Sequence, residues 1–183
     1  MINTEKKKKI ILGVTGGIAA YKSAELCSQL CKASYDVHVI MTASAQKLMT
    51  ERCFLTLSRN PVICNLWDVP EWRPEHIELS ESADLLVVAP CTANFIGKYT
   101  HGIADDALTT TAMAFRGKVL LAPAMNTRMW EAPALQENCR ILRNRGVYFI
   151  GTESGRLACG DEGRGRMSEP ADIAAEVRRL LSE

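Results

Sequence analysis

The strongest constraint on this chain is a set of short, nearly all-apolar runs, each closed by small, hydroxylated or proline residues. Ile10–Val14 is followed by Thr15-Gly16-Gly17 and Val37–Met41 by Thr42-Ala43-Ser44, while Asp84–Ala89 stops at Pro90 and Lys118–Ala122 at Pro123. Such runs predict strands buried on both faces, which belong to parallel sheets covered by helices. The segments between them carry helical periods. Ala20, Ala24, Cys27 and Cys31 recur at i, i+4, i+7 and i+11, opposite Lys22, Glu25, Gln29 and Lys32. Asp105–Phe115, Pro133–Arg145 (Leu135, Cys139 and Leu142 on one face) and the stretch after Pro170 (Ile173, Val177, Leu180, Leu181) read as further helices. Thr42-Ala43-Ser44 caps another that runs through Ala45, Leu48 and Met49. Val147–Ile150 reads as a last strand.

Two stretches resist this reading. Leu55–Trp72 offers only a short strand within Pro61–Leu66 and a proline-rich loop from Pro70 to Pro74. Gly151–Met167 holds five of the twelve glycines and no apolar period, which predicts a long flexible loop of functional use. The alternation as a whole predicts one α/β domain over residues 1–183, a doubly wound Rossmann-like or flavodoxin-like parallel sheet with helices on both faces. Ligands of such sheets bind at the strands' carboxyl ends, so the four closing segments should converge on one crevice.

Composition narrows the partners. With 22 Lys+Arg against 21 Asp+Glu the net charge is +1, and the run Lys6–Lys9 is a lone cluster, so no nucleic acid is expected as a partner. No apolar run approaches the roughly 20 residues of a membrane span, so no membrane is expected either. Lys6–Lys9 followed by Ile10–Tyr21 imitates a secretory signal, but Gly13, Thr15, Gly16 and Gly17 interrupt the apolar stretch. The seven cysteines are an odd set without a CxxC pair, and there are only three histidines; this predicts reduced thiols, a cytoplasmic location and no metal.

A glycine pair between a strand and a helix lets backbone N–H groups face an anion, and Thr42 and Ser44 add hydroxyl donors nearby. The spacing Gly13-Val-Thr-Gly16 is no dinucleotide fingerprint, and the Gly-Lys-Ser/Thr end of a P-loop is missing. Taken alone, Thr15-Gly16-Gly17 is equally a tight turn, and Thr92, Asn94 and Asn126 are equally helix caps.

Pro90-Cys-Thr-Ala-Asn94, Pro123-Ala-Met-Asn126, and Ala158-Cys-Gly-Asp161 with Gly163-Arg-Gly165-Arg-Met167, preceded by His76-Ile-Glu-Leu79, together resemble the flavin-containing cysteine decarboxylases. The likeness runs from about Lys9 to the final helix, with the motifs in family order. It is nearest to members that convert 4'-phosphopantothenoyl-L-cysteine to 4'-phosphopantetheine in coenzyme A biosynthesis. The resemblance implies FMN as cofactor, with its phosphate and ribityl chain on Gly16, Gly17, Ile18, Thr42 and Ser44. Thr92, Ala93, Asn94, Phe95 and Ala124 would complete the flavin site, although the family usually has Thr where this chain has Phe95.

The implied chemistry is coherent. A cysteine carboxylate does not lose CO2 readily, because the carbanion left behind has no electron sink; oxidation of the CH2–SH group to a thioaldehyde places a C=S group β to the carboxylate. Loss of CO2 then gives an enethiolate, which is reduced and protonated with no net redox change. The resemblance assigns His76 as the base that takes the thiol proton, Asn126 as a neutral ligand of the carboxylate, and Cys159 as the proton donor. The resemblance also implies that Ala158 and Met167 flank the substrate on a flap at about 151–167. Relatives often carry basic residues where this chain has Ser80 and Glu81, which leaves Arg156, Arg164 and Arg166 as candidates for the substrate phosphate. The resemblance further implies a homotrimer or a dodecamer of trimers and a separate phosphopantothenoylcysteine synthetase. Peptidyl-cysteine decarboxylation, flavin prenyl transfer and a non-catalytic regulatory role remain the alternatives.

Overall fold

A computed structural model describes residues 7–67, 75–156 and 162–183, with only the backbone of 75–77 and 156. In chain order the elements are β1 (Lys9–Val14), α1 (Ala20–Lys32), β2 (Asp36–Met41), α2 (Ala43–Gln46), α3 (Glu51–Ser58) and β3 (Val62–Ile63). They continue with α4 (Glu75–Ser82), β4 (Leu85–Cys91), α5 (Ala93–His101), α6 (Ala107–Ala114), β5 (Lys118–Pro123) and α7 (Thr127–Trp130). The last are α8 (Pro133–Asn144), β6 (Tyr148–Phe149), β7 (Glu153–Arg156), β8 (Glu162–Arg166) and α9 (Pro170–Ser182).

Six strands form one sheet in the order β3-β2-β1-β4-β5-β6, with every neighbouring pair parallel. The chain winds outward from β1 through β2 to β3, then returns to the other side of β1 for β4, β5 and β6. The order therefore reverses between β1 and β4, and this switch point opens a crevice at their carboxyl ends. The doubly wound α/β reading of the sequence holds.

Alternation within each strand divides the core into two layers. Ile10, Leu12 and Val14 of β1 and Leu85, Val87 and Ala89 of β4 pack with α1, α3 and α9. Ile11, Leu86, Val88 and Leu121 face the other layer, with Ile96 of α5, Leu108 of α6, and Leu135, Cys139 and Leu142 of α8. Those three α8 residues and the α9 residues Ile173, Val177 and Leu180 are buried as their spacing predicts, whereas Leu181 is half-buried.

Several boundaries differ from the sequence reading for identifiable reasons. The buried stripe of α1 is Ala20, Ser23, Leu26, Cys27 and Leu30, with Ala24 and Cys31 half-buried at its flanks. Ser23 belongs on the inner face because its hydroxyl donates to the Ala89 carbonyl at 2.7 Å, which satisfies a polar group inside the core. The helix expected through Met49 ends at Gln46, leaving Leu48 46% exposed, and α3 begins at Glu51, within and before a stretch read as irregular. The strands β4 and β5 extend through Pro90 and Pro123 instead of stopping before them, and a register shift lies between Val88 and Cys91. Gly151–Met167 is not structureless: β7 and β8 pair antiparallel within it. The proline-rich loop from Pro70 to Pro74 lies outside the described residues.

Of the six described cysteines, Cys27, Cys91 and Cys139 are buried as read, and Cys31, Cys53 and Cys64 are half-buried. Burial pushes the Cys27 thiol up to about 12, so it stays protonated and behaves as a small apolar side chain.

Helix α3 is held chiefly by Phe54, which is fully buried against the first layer. Phe54→Ala is expected to destabilise the fold by about 3–5 kcal/mol, read as a shift of the urea midpoint at unchanged slope.

Candidate functional site

The loops at the switch point are joined one to the next by named contacts. The hydroxyl of Thr15, 2% exposed at the end of β1, donates to the Pro90 carbonyl at 2.7 Å and accepts from the Thr92 N–H at 3.1 Å. The first loop also meets the second, because the Thr42 N–H donates to the Val14 carbonyl at 3.1 Å. A Cβ on Gly16 would lie 2.3 Å from the Ser44 Cβ, a distance no side chain tolerates. On the other side the Ala124 N–H reaches the Cys91 carbonyl at 3.0 Å, and the Met125 N–H reaches the Gly165 carbonyl at 2.9 Å. Gly165 has φ +137 and sits where a Cβ would come 2.2 Å from the Met125 carbonyl oxygen, so only glycine lets the hairpin approach this closely.

These loops line a cavity of about 1010 Å³. Its wall contains Gly16, Gly17, Ile18, Thr42, Ser44, Thr92, Ala93, Asn94, Phe95 and Ala124, the positions that the resemblance assigns to one ligand. Asn126, Arg166 and Met167 from the candidate substrate set line it too. The four strand-closing segments therefore meet in one crevice. Arg164 is absent from the lining, which removes it from the cavity wall. His76 lies on α4 and Arg156 on β7, but their side chains are outside the described set, as are Ala158 and Cys159 entirely.

Local structure fixes several of these groups. Thr92 caps α5, its hydroxyl accepting from the Phe95 N–H at 3.5 Å. Asn126 caps α7: its Oδ1 accepts from the Arg128 N–H at 2.8 Å, an arrangement that uses the oxygen of the carboxamide and sets the plane of its NH2 end. Phe95 is 2% exposed and stacks on Tyr99 with centroids 5.7 Å apart, so this position contributes a rigid apolar wall. Helix α1 starts without a side-chain cap, leaving first-turn N–H groups without that partner near the glycine pair. The two other histidines bond locally: His38 Nε2 lies 3.1 Å from Asp36 Oδ2, and His101 Nδ1 lies 2.9 Å from the Gly97 carbonyl.

The lining also contains residues that the sequence reading gave no part in a site, among them Tyr21, Lys22, Lys98 and Asp106. Helical periodicity put Lys22 on the solvent face, but its side chain is only 11% exposed and its Nζ donates to Glu169 Oε1 and Oε2 at 2.8 and 2.9 Å. The contact across 147 residues is set by tertiary packing of α1 against α9, for which local spacing carries no signal. Arg166 donates to the same carboxylate. Lys22, with help from Arg166, holds the Glu169 carboxyl below the usual carboxylate range.

The model of the Flavoprotein family matches residues 2–182. Coenzyme A biosynthesis bifunctional protein CoaBC of Haemophilus influenzae is 42% identical over 177 residues, which cover 96% of this chain and 44% of that protein. This chain thus spans less than half the length of that relative. Among solved structures, a cysteine-to-serine mutant of a PPC decarboxylase complexed with pantothenoylaminoethenethiol superposes with a TM-score of 0.87 at 30% identity, covering 97% of this chain and 100% of that one. The FMN-dependent cysteine decarboxylase SpaF matches with a TM-score of 0.82 at 28% identity over 96% of this chain and 98% of its own.

Thr15→Val keeps the shape of the side chain and removes the hydroxyl from between two loops. It leaves the Pro90 carbonyl and the Thr92 N–H without that partner, so a loss of about 1–3 kcal/mol is expected in denaturant unfolding; an unchanged midpoint would mean that the clamp is dispensable.

Proposed function

The chain belongs to the flavoprotein family, and from that premise we propose that it is an FMN-dependent carboxy-lyase converting 4'-phosphopantothenoyl-L-cysteine to 4'-phosphopantetheine in coenzyme A biosynthesis. The observation that carries the proposal is the meeting, in one cavity, of the ten positions assigned to flavin with Asn126 of the Pro123-Ala-Met-Asn126 loop. The residues fit the cofactor. Gly16 and Gly17 present backbone without side chains beside the uncapped start of α1, which suits the flavin phosphate, and Thr42 and Ser44 line the same region. Thr92–Phe95 and Ala124 form the wall proposed to take the ring system.

Held by these residues, FMN would supply the two-electron redox capacity that the substrate's CH2–SH carbon needs before and after the loss of CO2. The protein's own groups handle protons and position. His76 is proposed to remove the thiol proton as the substrate is oxidised, a transfer for which an imidazole is suited at neutral pH. Asn126 is proposed to hold the carboxylate through its NH2 end. A neutral donor orients the departing group without the ground-state stabilisation that a fixed cation would add. Cys159 is proposed to protonate the enethiolate carbon. It falls in sequence between β7 and β8, and the bond from Met125 to Gly165 ties β8 to the loop that carries Asn126. Ala158 and Met167 are proposed to flank the substrate there, and closure of this segment would exclude water from the carbanion.

The relatives named for coenzyme A biosynthesis favour the small phosphorylated substrate over a peptide. We place the enzyme in the cytoplasm as a homo-oligomer built of trimers, supplied with substrate by a phosphopantothenoylcysteine synthetase. Ile18, Tyr21 and Met129 are 64%, 60% and 51% exposed at the cavity's edge, an apolar rim consistent with cover from a neighbouring copy.

Mass analysis of the product tests the reading. Wild-type protein incubated with 4'-phosphopantothenoyl-L-cysteine should release a species lighter by CO2, and Cys159→Ser should accumulate one lighter by CO2 and two further hydrogens, the oxidised enethiol. Protein that holds FMN yet yields neither species would rule out this substrate.

A further inference from the structure

The hairpin of β7 and β8 is joined to its surroundings unevenly along its length. At its base the fully buried Ser168 donates its hydroxyl to Glu153 Oε1 at 3.1 Å, and Arg166 donates to Glu169. One step along β8, the Gly165 carbonyl accepts from the Met125 N–H at 2.9 Å. Gly163, two residues away on the same face of the strand, makes a contact of a different kind. It rests on Thr127, where a Cβ would lie 2.3 Å from the Thr127 Oγ1 and 3.2 Å from its Cβ and Cγ2. This is close packing of backbone on a hydroxyl, with no bond from that hydroxyl.

Among the described residues, the Thr127 Oγ1 is the one buried side-chain nitrogen or oxygen without a hydrogen-bond partner. Helix α7 does not use it, because Asn126 already caps that helix by accepting from the Arg128 N–H at 2.8 Å. The cavity does not use it either, since the wall includes Met125, Asn126 and Met129 but not Thr127. A hydroxyl buried without a partner costs free energy that a valine of the same shape would not. Acceptors lie close by in β8, whose carbonyl oxygens each have two lone pairs and can take a second donor while keeping a bond to β7. Because Gly163 brings backbone and no side chain to the hydroxyl, a small tilt of β8 along this seam would bring a carbonyl within its reach.

We propose that Thr127 is a positioning residue for the reaction: its hydroxyl is reserved for a backbone carbonyl of β8 and bonds to it when the hairpin seats on bound substrate. The bond continues the line of ties that runs from Glu153 and Ser168 through Met125 and Gly165, and it fixes β8 against the loop that carries Asn126. The hydroxyl is unsatisfied in the present arrangement of β8 and satisfied in the seated one, so it biases the hairpin toward the second. The inference rests on the reaction proposed above, from which it takes its ligand.

The test is amide hydrogen exchange of the FMN-loaded protein, read by mass spectrometry on the segment containing β8. It is run with and without saturating 4'-phosphopantetheine, for wild type, Thr127→Val and Thr127→Ser. In wild type the ligand should slow exchange of this segment roughly tenfold. Thr127→Val should lose about three- to tenfold of that added protection, while its urea midpoint without the ligand stays unchanged or rises. Thr127→Ser keeps the hydroxyl and should keep the added protection. A valine variant that is destabilised without the ligand overturns the proposal, because the hydroxyl would then already be bonded. Full added protection in Thr127→Val overturns it too, as does a serine variant that behaves like valine. Wild type that decarboxylates its substrate without gaining protection at β8 refutes the proposal and leaves the reaction standing. Hydroxyl-dependent protection without turnover refutes the reaction and leaves this bond standing.

Discussion

The Thr15 hydroxyl is the constraint around which the site is organised. It lies where the winding of the sheet reverses, and by donating to Pro90 and accepting from Thr92 it joins the ends of β1 and β4, alongside the backbone bond from the Thr15 N–H to the Pro90 carbonyl at 3.4 Å. From that link the wall extends in both directions. Val14 and Thr42 connect to the second loop, Cys91 and Ala124 to the fourth, and Met125 and Gly165 carry it on to the hairpin. Most of these bonds are between backbone groups, so the wall's shape depends on where chain approaches chain. Gly16 and Gly165 occupy two of the tightest approaches, where a single added carbon would collide with neighbouring atoms.

Much of this was legible in the sequence, for a physical reason. A strand buried on both faces must be apolar throughout, and its exit must be made of residues that turn the chain and satisfy its polar groups. Ile10–Val14 with Thr15-Gly16-Gly17 states both conditions in eight residues. The α8 and α9 stripes were equally plain, because each helix has one face on the sheet. What the sequence hid were features decided at long range. Ser23 looks like a surface residue until Ala89 is brought to it, and Lys22 sits on the polar side of its helix until Glu169 arrives from the far end of the chain. The helix α3 was concealed because Phe54 is its only buried residue, too few to set a period. The β7–β8 pair was concealed because a strand of Gly and Arg has no apolar alternation to read.

Chemistry and charge are arranged along the same wall. The neutral donors Thr42, Ser44, Thr92 and Asn126 sit at strand exits and helix starts, where backbone geometry fixes them. The described charged groups of the wall are all engaged in ion pairs: Lys98 and Asp106 on α5 and at the start of α6, and Lys22 and Arg166 on Glu169. For the proposed decarboxylation this division matters, because neutral donors beside the reacting carboxylate would not resist its loss of charge.

The central claim is that the crevice between the ends of β1 and β4 is a flavin site, and a crystal structure of the protein loaded with FMN tests it most directly. The expected result places the flavin phosphate against the backbone N–H groups of Gly16–Ile18 with the hydroxyls of Thr42 and Ser44, and the ring between Thr92–Phe95 and Ala124. A flavin bound outside this crevice, or one whose phosphate rests on Lys22 and Arg166, would contradict it.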